Sequence, residues 1–437
     1  MTPLAIGAIS FLVVIVLIAV RVPIAVALGG TAIVGMAIVR SVDVALGLAK
    51  DTPFNFAAHW DLTAIPMFLL MGSIAHHAGL SGALFRAARL WFGALPGGLA
   101  VAANLACAGF AAASGSSIAT AAAMGRIAIP EMLRLGYDKS LATGVVASAG
   151  TLGALIPPSI LFVIYGIFAE VSIVKLLIAG LLPGLLTAAV YTLMIIIRCR
   201  INPALAPGID AAEFAASRRE RWSALMPIWP LLVLILGIIG GLYAGFFTAT
   251  EAGAAGALLA FVLAFIQGRL GWAGLKGSLE EAVSGSARIF FIAVGAVMYS
   301  KFLAFSGLPA YMGETIAALG VNKIVVVIGF SLAYLFLGMF LDPLGVLLLT
   351  LPILLPMFEA LDLDLIWIGV LVVKYLEIGM LTPPVGFNVY IIKSVVGDEI
   401  PLETIFKGVS WFLACEVLIM GLLIAFPEIS LVLPNNM

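Results

Sequence analysis

Ser114-Gly115-Ser116-Ser117, followed by Thr120, gathers hydroxyl groups in the middle of an otherwise apolar stretch. Two other apolar stretches are interrupted by proline pairs, Gly153-Ala154-Leu155-Ile156-Pro157-Pro158 and Gly379-Met380-Leu381-Thr382-Pro383-Pro384. A proline pair removes backbone donors and forces the preceding residue out of helical geometry, so carbonyls are left free where the helix stops. Hydroxyl and carbonyl oxygens are ligands for a hard cation. The N-termini of the resumed helices carry partial positive charge and attract a carboxylate. A small cation held by such oxygens needs no fixed carboxylate, which suits sodium better than a proton. A purely packing role for Ser and Gly, as small residues that let helices approach, is the competing reading of the serine tract.

The two proline pairs are 226 residues apart, and the same offset relates Pro130 to Pro356, each followed by Met within two residues. One register thus covers about thirty residues in each half without an insertion, which is an internal duplication. Within lipid a broken helix is tolerated only where protein or a water-filled cavity satisfies the freed backbone. Paired breaks at corresponding places in two halves point to the binding site of a secondary transporter.

The chain of 437 residues is 63% hydrophobic and 10% charged, with a mean hydropathy of +1.21. That composition belongs to a polytopic helical membrane protein. Long continuous apolar runs, such as 6–20 and 231–241, exclude the alternation of a β-barrel. A net charge of −1 gives no basis for nucleic-acid binding. Cys107, Cys199 and Cys415 are scattered, with no metal or redox spacing, and read as small packing residues. No basic region precedes the first apolar run, so residues 4–20 are expected to be a span and not a removable signal.

Crossings are expected near residues 4–20, 23–39, 62–79, 140–168 and 172–197, and again near 225–243, 246–267, 289–305, 364–393 and 408–426. Between the third and fourth of each set lies an apolar stretch with a broken centre, 97–134 and 323–360. The first breaks at the serine tract and the second at Gly338-Met339-Phe340-Leu341-Asp342-Pro343, and each can hold two half-length helices as a re-entrant hairpin. Residues 1–197 and 225–437 then form two repeats joined by a cytoplasmic linker over 198–224.

Five crossings is an odd number, so the repeats must be inverted. With the N-terminus outside, the interior receives Arg86, Arg134, Arg198, Arg219, Arg288, Lys407 and others, and the exterior only Arg40, Lys50, Lys175 and Lys323. This is the positive-inside pattern. Residues 80–92 and 308–319 follow the third crossing of each half and read as amphipathic helices in the membrane interface, either arms that brace a mobile part or lipid-facing decoration.

Inverted symmetry predicts two sodium sites. One combines the tip at Ser116 with the break from Gly153 to Pro157, and the other combines Gly338 and Asp342 with Gly379, Thr382 and Pro383. The substrate-facing set is Ser114, Ser117, Thr120, Arg126, Asp342 and Asn388. Arg126 lies in the second arm of the first hairpin, where a guanidinium can hold a carboxylate at two points or else pair with a scaffold carboxylate. Ionisable residues in apolar sequence are functional candidates by default. Lys374 and Glu377, three apart on a helix, are expected to pair with each other. Lys301 and Glu251 are expected to have structural roles, and His59, His76 and His77 to sit at the interface.

At these residues the chain resembles the large membrane subunit of the tripartite ATP-independent periplasmic (TRAP) transporters, the DctM-like family. The resemblance runs over essentially the full length. It rests on the order and spacing of Ala113 to Thr120, Ile129-Pro130-Glu131-Met132, Gly150 to Gly153 with Pro157-Pro158-Ser159, Thr248-Ala249-Thr250-Glu251-Ala252, Gly338 to Pro343, and Leu381 to Gly386. Ala249 stands where the family pattern has proline, which touches only local helix geometry.

The resemblance implies an elevator-type, sodium-coupled importer of organic acids, set in the bacterial inner membrane with a periplasmic N-terminus. It also implies a separate small membrane subunit, DctQ-like, and a periplasmic solute-binding protein, DctP-like. The family's two sodium sites fall by motif on Ser116 with Gly153 to Pro157, and on Gly338, Gly379 and Thr382.

Two other classes compete. A membrane-embedded enzyme would need a nucleophile with a base, paired aspartates or a metal cluster, and the sequence has no HExxH and no aspartate pair in register. An ion channel would conduct only downhill and need no solute-binding protein.

Overall fold

The computed structural model describes residues 1–207 and 218–437, and the regular elements among them are helical. The first half contains α1 (Pro3–Ala19), α2 (Ile24–Val39), α3 (Val42–Ala57), α4 (Ala64–His77), α5 (Leu80–Phe92) and α6 (Gly98–Ser114). It continues with α7 (Ser117–Arg134), α8 (Lys139–Gly150), α9 (Ile160–Phe168), α10 (Ile173–Ala179) and α11 (Leu181–Ile201). After α12 (Arg218–Ser223) come α13 (Trp229–Tyr243), α14 (Ala249–Ile266), α15 (Trp272–Ser306), α16 (Leu308–Leu319) and α17 (Lys323–Gly338). The chain ends with α18 (Pro343–Ala360), α19 (Leu365–Gly379), α20 (Phe387–Val396), α21 (Leu402–Ala425) and α22 (Glu428–Asn435). The linker read over 198–224 lies partly outside the described residues.

Among the described residues six helical stretches are long and apolar enough to cross a membrane, or seven if the pair bent by 61° before Leu80 counts as one. The protein is therefore a multi-span membrane protein. The ten expected crossings do not appear as ten continuous helices, for a physical reason. The stretch 140–168 is split into α8 and α9, and 364–393 into α19 and α20, because the proline pairs end the hydrogen-bond ladder. In addition α1 and α2 have only 17 and 16 residues.

Two elements differ from the apolar reading. α3 carries Asp43, Lys50 and Asp51 and so has no full apolar run, yet it forms behind the N-cap Ser41, whose hydroxyl accepts from the Val44 N–H. α15 runs for 35 residues, far beyond the expected 289–305, because helix-compatible polar sequence continues it on the N-terminal side.

Helix bounds fall at the offset of the duplication. α7 and α18 correspond end to end, Ser117 with Pro343 and Arg134 with Ala360. Packing repeats too: α2 lies on α15 while α14 lies on α4. The helices leading into the breaks are the most enclosed, with Ser140 to Gly150 of α8 and Trp367 to Gly379 of α19 all buried. A helix buried on every side can be apolar all round, which is how both sequences read. The amphipathic segments are helices with the expected bounds, and α5 packs on α6 and α7 while α16 packs on α18. On α5, Phe85, Ala87 and Ala88 face inward and Arg86 outward, while Arg89 pairs with Glu131 of α7.

Candidate functional site

The first hairpin turns in two residues. Gly115 adopts the left-handed conformation at φ +62°, and Ser116 is extended and caps α7, its hydroxyl accepting from the Ala119 N–H at 3.4 Å. A side chain on Gly115 would also strike the Pro158 carbonyl, so the tip and the first break touch through backbone. The second hairpin turns over Met339 to Leu341. Asp342 caps α18, its carboxylate accepting from the N–H groups of Leu344 and Gly345 at 3.1 and 3.2 Å, with Pro343 in the first helical position.

Both breaks are as the proline pairs require. α8 gives way to a 3-10 turn over Thr151–Ala154, and regular structure resumes only when Ser159 caps α9. α19 ends at Gly379, and α20 starts after the left-handed Gly386. The Pro157-Pro158 and Pro383-Pro384 bonds are both cis.

The expected tip-and-break pairs are in contact. A Cβ on Gly153 would lie 2.5 Å from the Ser116 carbonyl oxygen, and a Cβ on Gly379 would lie 2.9 Å from the Gly338 carbonyl oxygen. No side chain fits between either pair, so the backbone of each break lies directly against its tip, with a tip carbonyl oxygen in the contact. Pro157 is buried and does not line the cavities described below. Thr382, at the second, donates its hydroxyl to the Ile378 carbonyl at 2.7 Å and keeps its oxygen lone pairs.

Both tips and both breaks line one cavity of about 140 Å³. Its wall includes Ser116 and Asp342, Ser117 and Pro343, Ile118 and Leu344, and Ala154 and Met380, four pairs each separated by 226 positions. Glu377 also reaches it and accepts a hydrogen bond from the Ser117 hydroxyl at 2.6 Å. A second cavity of about 280 Å³ adjoins the first at Ser116 and Leu69, and Ser114, Arg126, Ser73, His76 and Glu281 line it. Arg126 is exposed there, and among the described residues no carboxylate lies within ion-pair distance of it.

The expected substrate set is divided between these spaces. Ser117 and Asp342 face the first cavity, and Ser114 and Arg126 the second. Thr120 is fully buried and shares a 2.6 Å hydrogen bond with the Ser114 hydroxyl, so it orients Ser114 from behind. Asn388 lines neither cavity. Its amide donates to the Ala147 carbonyl at 3.2 Å, tying α20 to α8, and its buried Oδ1 has no partner among the described residues.

Several expectations need correction. Lys374 does not bond Glu377: its ammonium contacts Glu416 Oε1 at 2.7 Å and Thr187 Oγ1 at 3.1 Å, all buried. Spacing of three along a helix permits a pair, but the stronger partner comes from α21, which the sequence could not place. His76, to which the sequence assigned no part in the site, lines the second cavity with Ser73 from the same helix. Glu281 was missed because it lies on the extension of α15, outside any apolar run, where Ser73 donates to it. Glu251 has the structural role expected, closing a capping box with Thr248, so the alanine at 249 leaves the helix start intact. Lys301 donates to Thr52 of α3 at 3.3 Å, which is likewise structural. No group of three or more His, Cys, Asp or Glu stands ready to hold a metal ion among the described residues.

Residues 11–429 match the family described as the tripartite ATP-independent periplasmic transporter, DctM component. The C4-dicarboxylate TRAP transporter large permease protein of Pseudomonas aeruginosa is 37% identical over 87% of this chain and 88% of its own length. The sialic acid TRAP transporter large permease protein of Vibrio cholerae is 32% identical over 89% and 91%. In fold, the chain is similar to the YdaH transporter of Alcanivorax borkumensis, with a TM-score of 0.63 at 16% identity over 89% of this chain and 90% of that one. These relatives are transport subunits and not enzymes, and the protein belongs to the DctM family of large permeases of TRAP transporters.

Proposed function

We propose that this chain is the large subunit of a sodium-coupled symporter that imports an organic acid handed over by a periplasmic solute-binding protein. One sodium ion is held by Ser116 with the Gly153 to Pro157 break, and a second by Gly338, Gly379 and Thr382. The carboxylate is taken by Arg126, with Ser114, Ser117 and Asp342 on the surrounding walls and Thr120 and Asn388 supporting them from behind.

The observation that carries this reading is the cavity lined by four residue pairs in the register of the duplication. A wall built twice from one sequence pattern is what two inverted repeats meeting at a midplane produce. The repeats are 1–197 and 225–437, and the linker is cytoplasmic with the N-terminus periplasmic, as the distribution of Arg and Lys favours. The chain sits in the bacterial inner membrane beside a DctQ-like small subunit and receives solute from a DctP-like protein.

Sodium favours the closed, substrate-competent tips only through its differential affinity for that state. The two hairpins and the broken helices then move as one module against α2, α4, α14 and α15, in the elevator manner. α5 and α16, each packed on a hairpin, are the arms. Uptake into proteoliposomes containing all three components tests this. Accumulation is expected only with an inward sodium gradient and the solute-binding protein, and accumulation unchanged without either removes the proposal.

A further inference from the structure

α11 and α21 pack together, and their outward faces enclose a groove of about 490 Å³ that shares no lining residue with either cavity already described. Val190, Leu193 and Ile197 line it on α11, and Trp411, Cys415 and Leu418 on α21. Steps of three and four residues place each set on one helix face. From Val190 to Ile201 the groove runs about 16 Å, or roughly one leaflet of a hydrocarbon core about 30 Å thick.

Its charged end is Arg198. The guanidinium lies over the Trp411 ring, 4.7 Å from the centroid. Nη1 is buried and has no hydrogen-bond partner among the described residues. Asp138 caps the start of α8 through Oδ1, which accepts from the Ser140 and Leu141 N–H groups, and it forms no ion pair with Arg198 among the described residues. Arg200 adds positive charge at the same level, where α11 ends.

We propose that this groove binds an anionic phospholipid, with one acyl chain between α11 and α21 and the phosphate on Arg198. The apolar walls cannot select it, because a helix face inside a bilayer meets lipid tails whether or not a groove exists. Selection comes from the headgroup. Arg198 is only partly buried and its guanidinium lines the groove, where a phosphodiester oxygen can accept a charge-assisted hydrogen bond from its accessible edge. Tryptophan and arginine at one level also mark the membrane interface, where such a phosphate lies. The inward sides of the same helix turns carry Tyr191, which donates to Glu416, and Glu416, which accepts from Lys374, so a bound lipid braces the helices around that ion pair.

Native mass spectrometry of the purified full-length chain, offered equal amounts of phosphatidylglycerol and phosphatidylcholine with the same acyl chains, tests the proposal. One phosphatidylglycerol is expected to be retained with a preference of about fivefold. Arg198→Gln is expected to remove the preference, and Leu193→Trp to reduce retention of both lipids by filling the groove. Added inorganic phosphate is expected to leave the lipid in place.

Equal retention of the two lipids by the unaltered chain overturns the proposal, as does a preference that survives both substitutions. Displacement by inorganic phosphate assigns the site to a free anion instead. A photoreactive residue at position 415 that cross-links to a protein partner, and not to lipid, in the assembled complex assigns it to that partner. Should Arg198→Gln fail to fold, the lipid competition on the unaltered chain and Leu193→Trp still decide. None of these readouts involves transport, so they stand apart from the sodium-coupling proposal.

Discussion

Lys374 reaches past Glu377, one turn along its own helix, and bonds Glu416 of α21 at 2.7 Å in a fully buried site. Glu377 is thereby left to the first hairpin, where Ser117 donates to it. One helix turn thus separates two jobs: an ion pair that joins α19 to α21, and a carboxylate that faces the cavity between the tips.

Breaking the ion pair from one side should be far worse than removing it whole. Glu416→Leu leaves a buried ammonium with only Thr187 for company and is expected to cost about 3–5 kcal/mol. Lys374→Met combined with Glu416→Leu should recover most of that loss. Thermal unfolding of the single and double variants in detergent checks the order, and a double variant no more stable than the single would contradict it.

The glycine contacts give a sharper test of the site. Gly153→Ala and Gly379→Ala each push a methyl into the backbone of a hairpin tip, at an expected cost of about 1–3 kcal/mol borne by the closed tip. Sodium-driven uptake should fall in both. Gly240→Ala meets nothing within 4 Å and should transport normally.

Oxygen ligands can be trimmed one hydroxyl at a time. Ser116→Ala and Thr382→Ala should raise the sodium concentration needed for half-maximal uptake. Both hydroxyls also serve the local backbone, so protein level and melting temperature are measured alongside. An unchanged sodium requirement in both variants would count against those ligands.

Arg126→Lys keeps the charge but loses the planar fork, and Arg126→Ala loses both. Loss of a charge-assisted hydrogen bond of about 1.5–3 kcal/mol predicts a rise of roughly ten- to a hundredfold in the KM for the organic acid. The sodium requirement should hardly move. Uptake measured over a range of solute at fixed sodium separates the two effects.

Much of this arrangement is legible in the sequence because proline pairs and a 226-residue register act locally. Pro157-Pro158 and Pro383-Pro384 stop their helices whatever surrounds them, and the tips at Ser116 and Asp342 follow from cap chemistry. What stayed hidden depends on elements far apart in the chain. The partner of Lys374 comes from α21, and the carboxylate facing His76 and Arg126 comes from the polar extension of α15. Asn388 shows the same limit: a polar residue after a break looks substrate-facing until α8 is seen to claim its amide. α3 escaped because it is helical without being apolar, and a search for apolar runs passes over its Ser41 cap.

The central claim is that each tip-and-break contact holds one sodium ion. Binding of radioactive sodium to the purified chain, counted per chain, tests it most directly. The account predicts two ions for the unaltered protein, one for Gly153→Ala, one for Gly379→Ala and none for the double variant. Full binding retained in the double variant, or no binding in the unaltered protein under conditions where it transports, would contradict it.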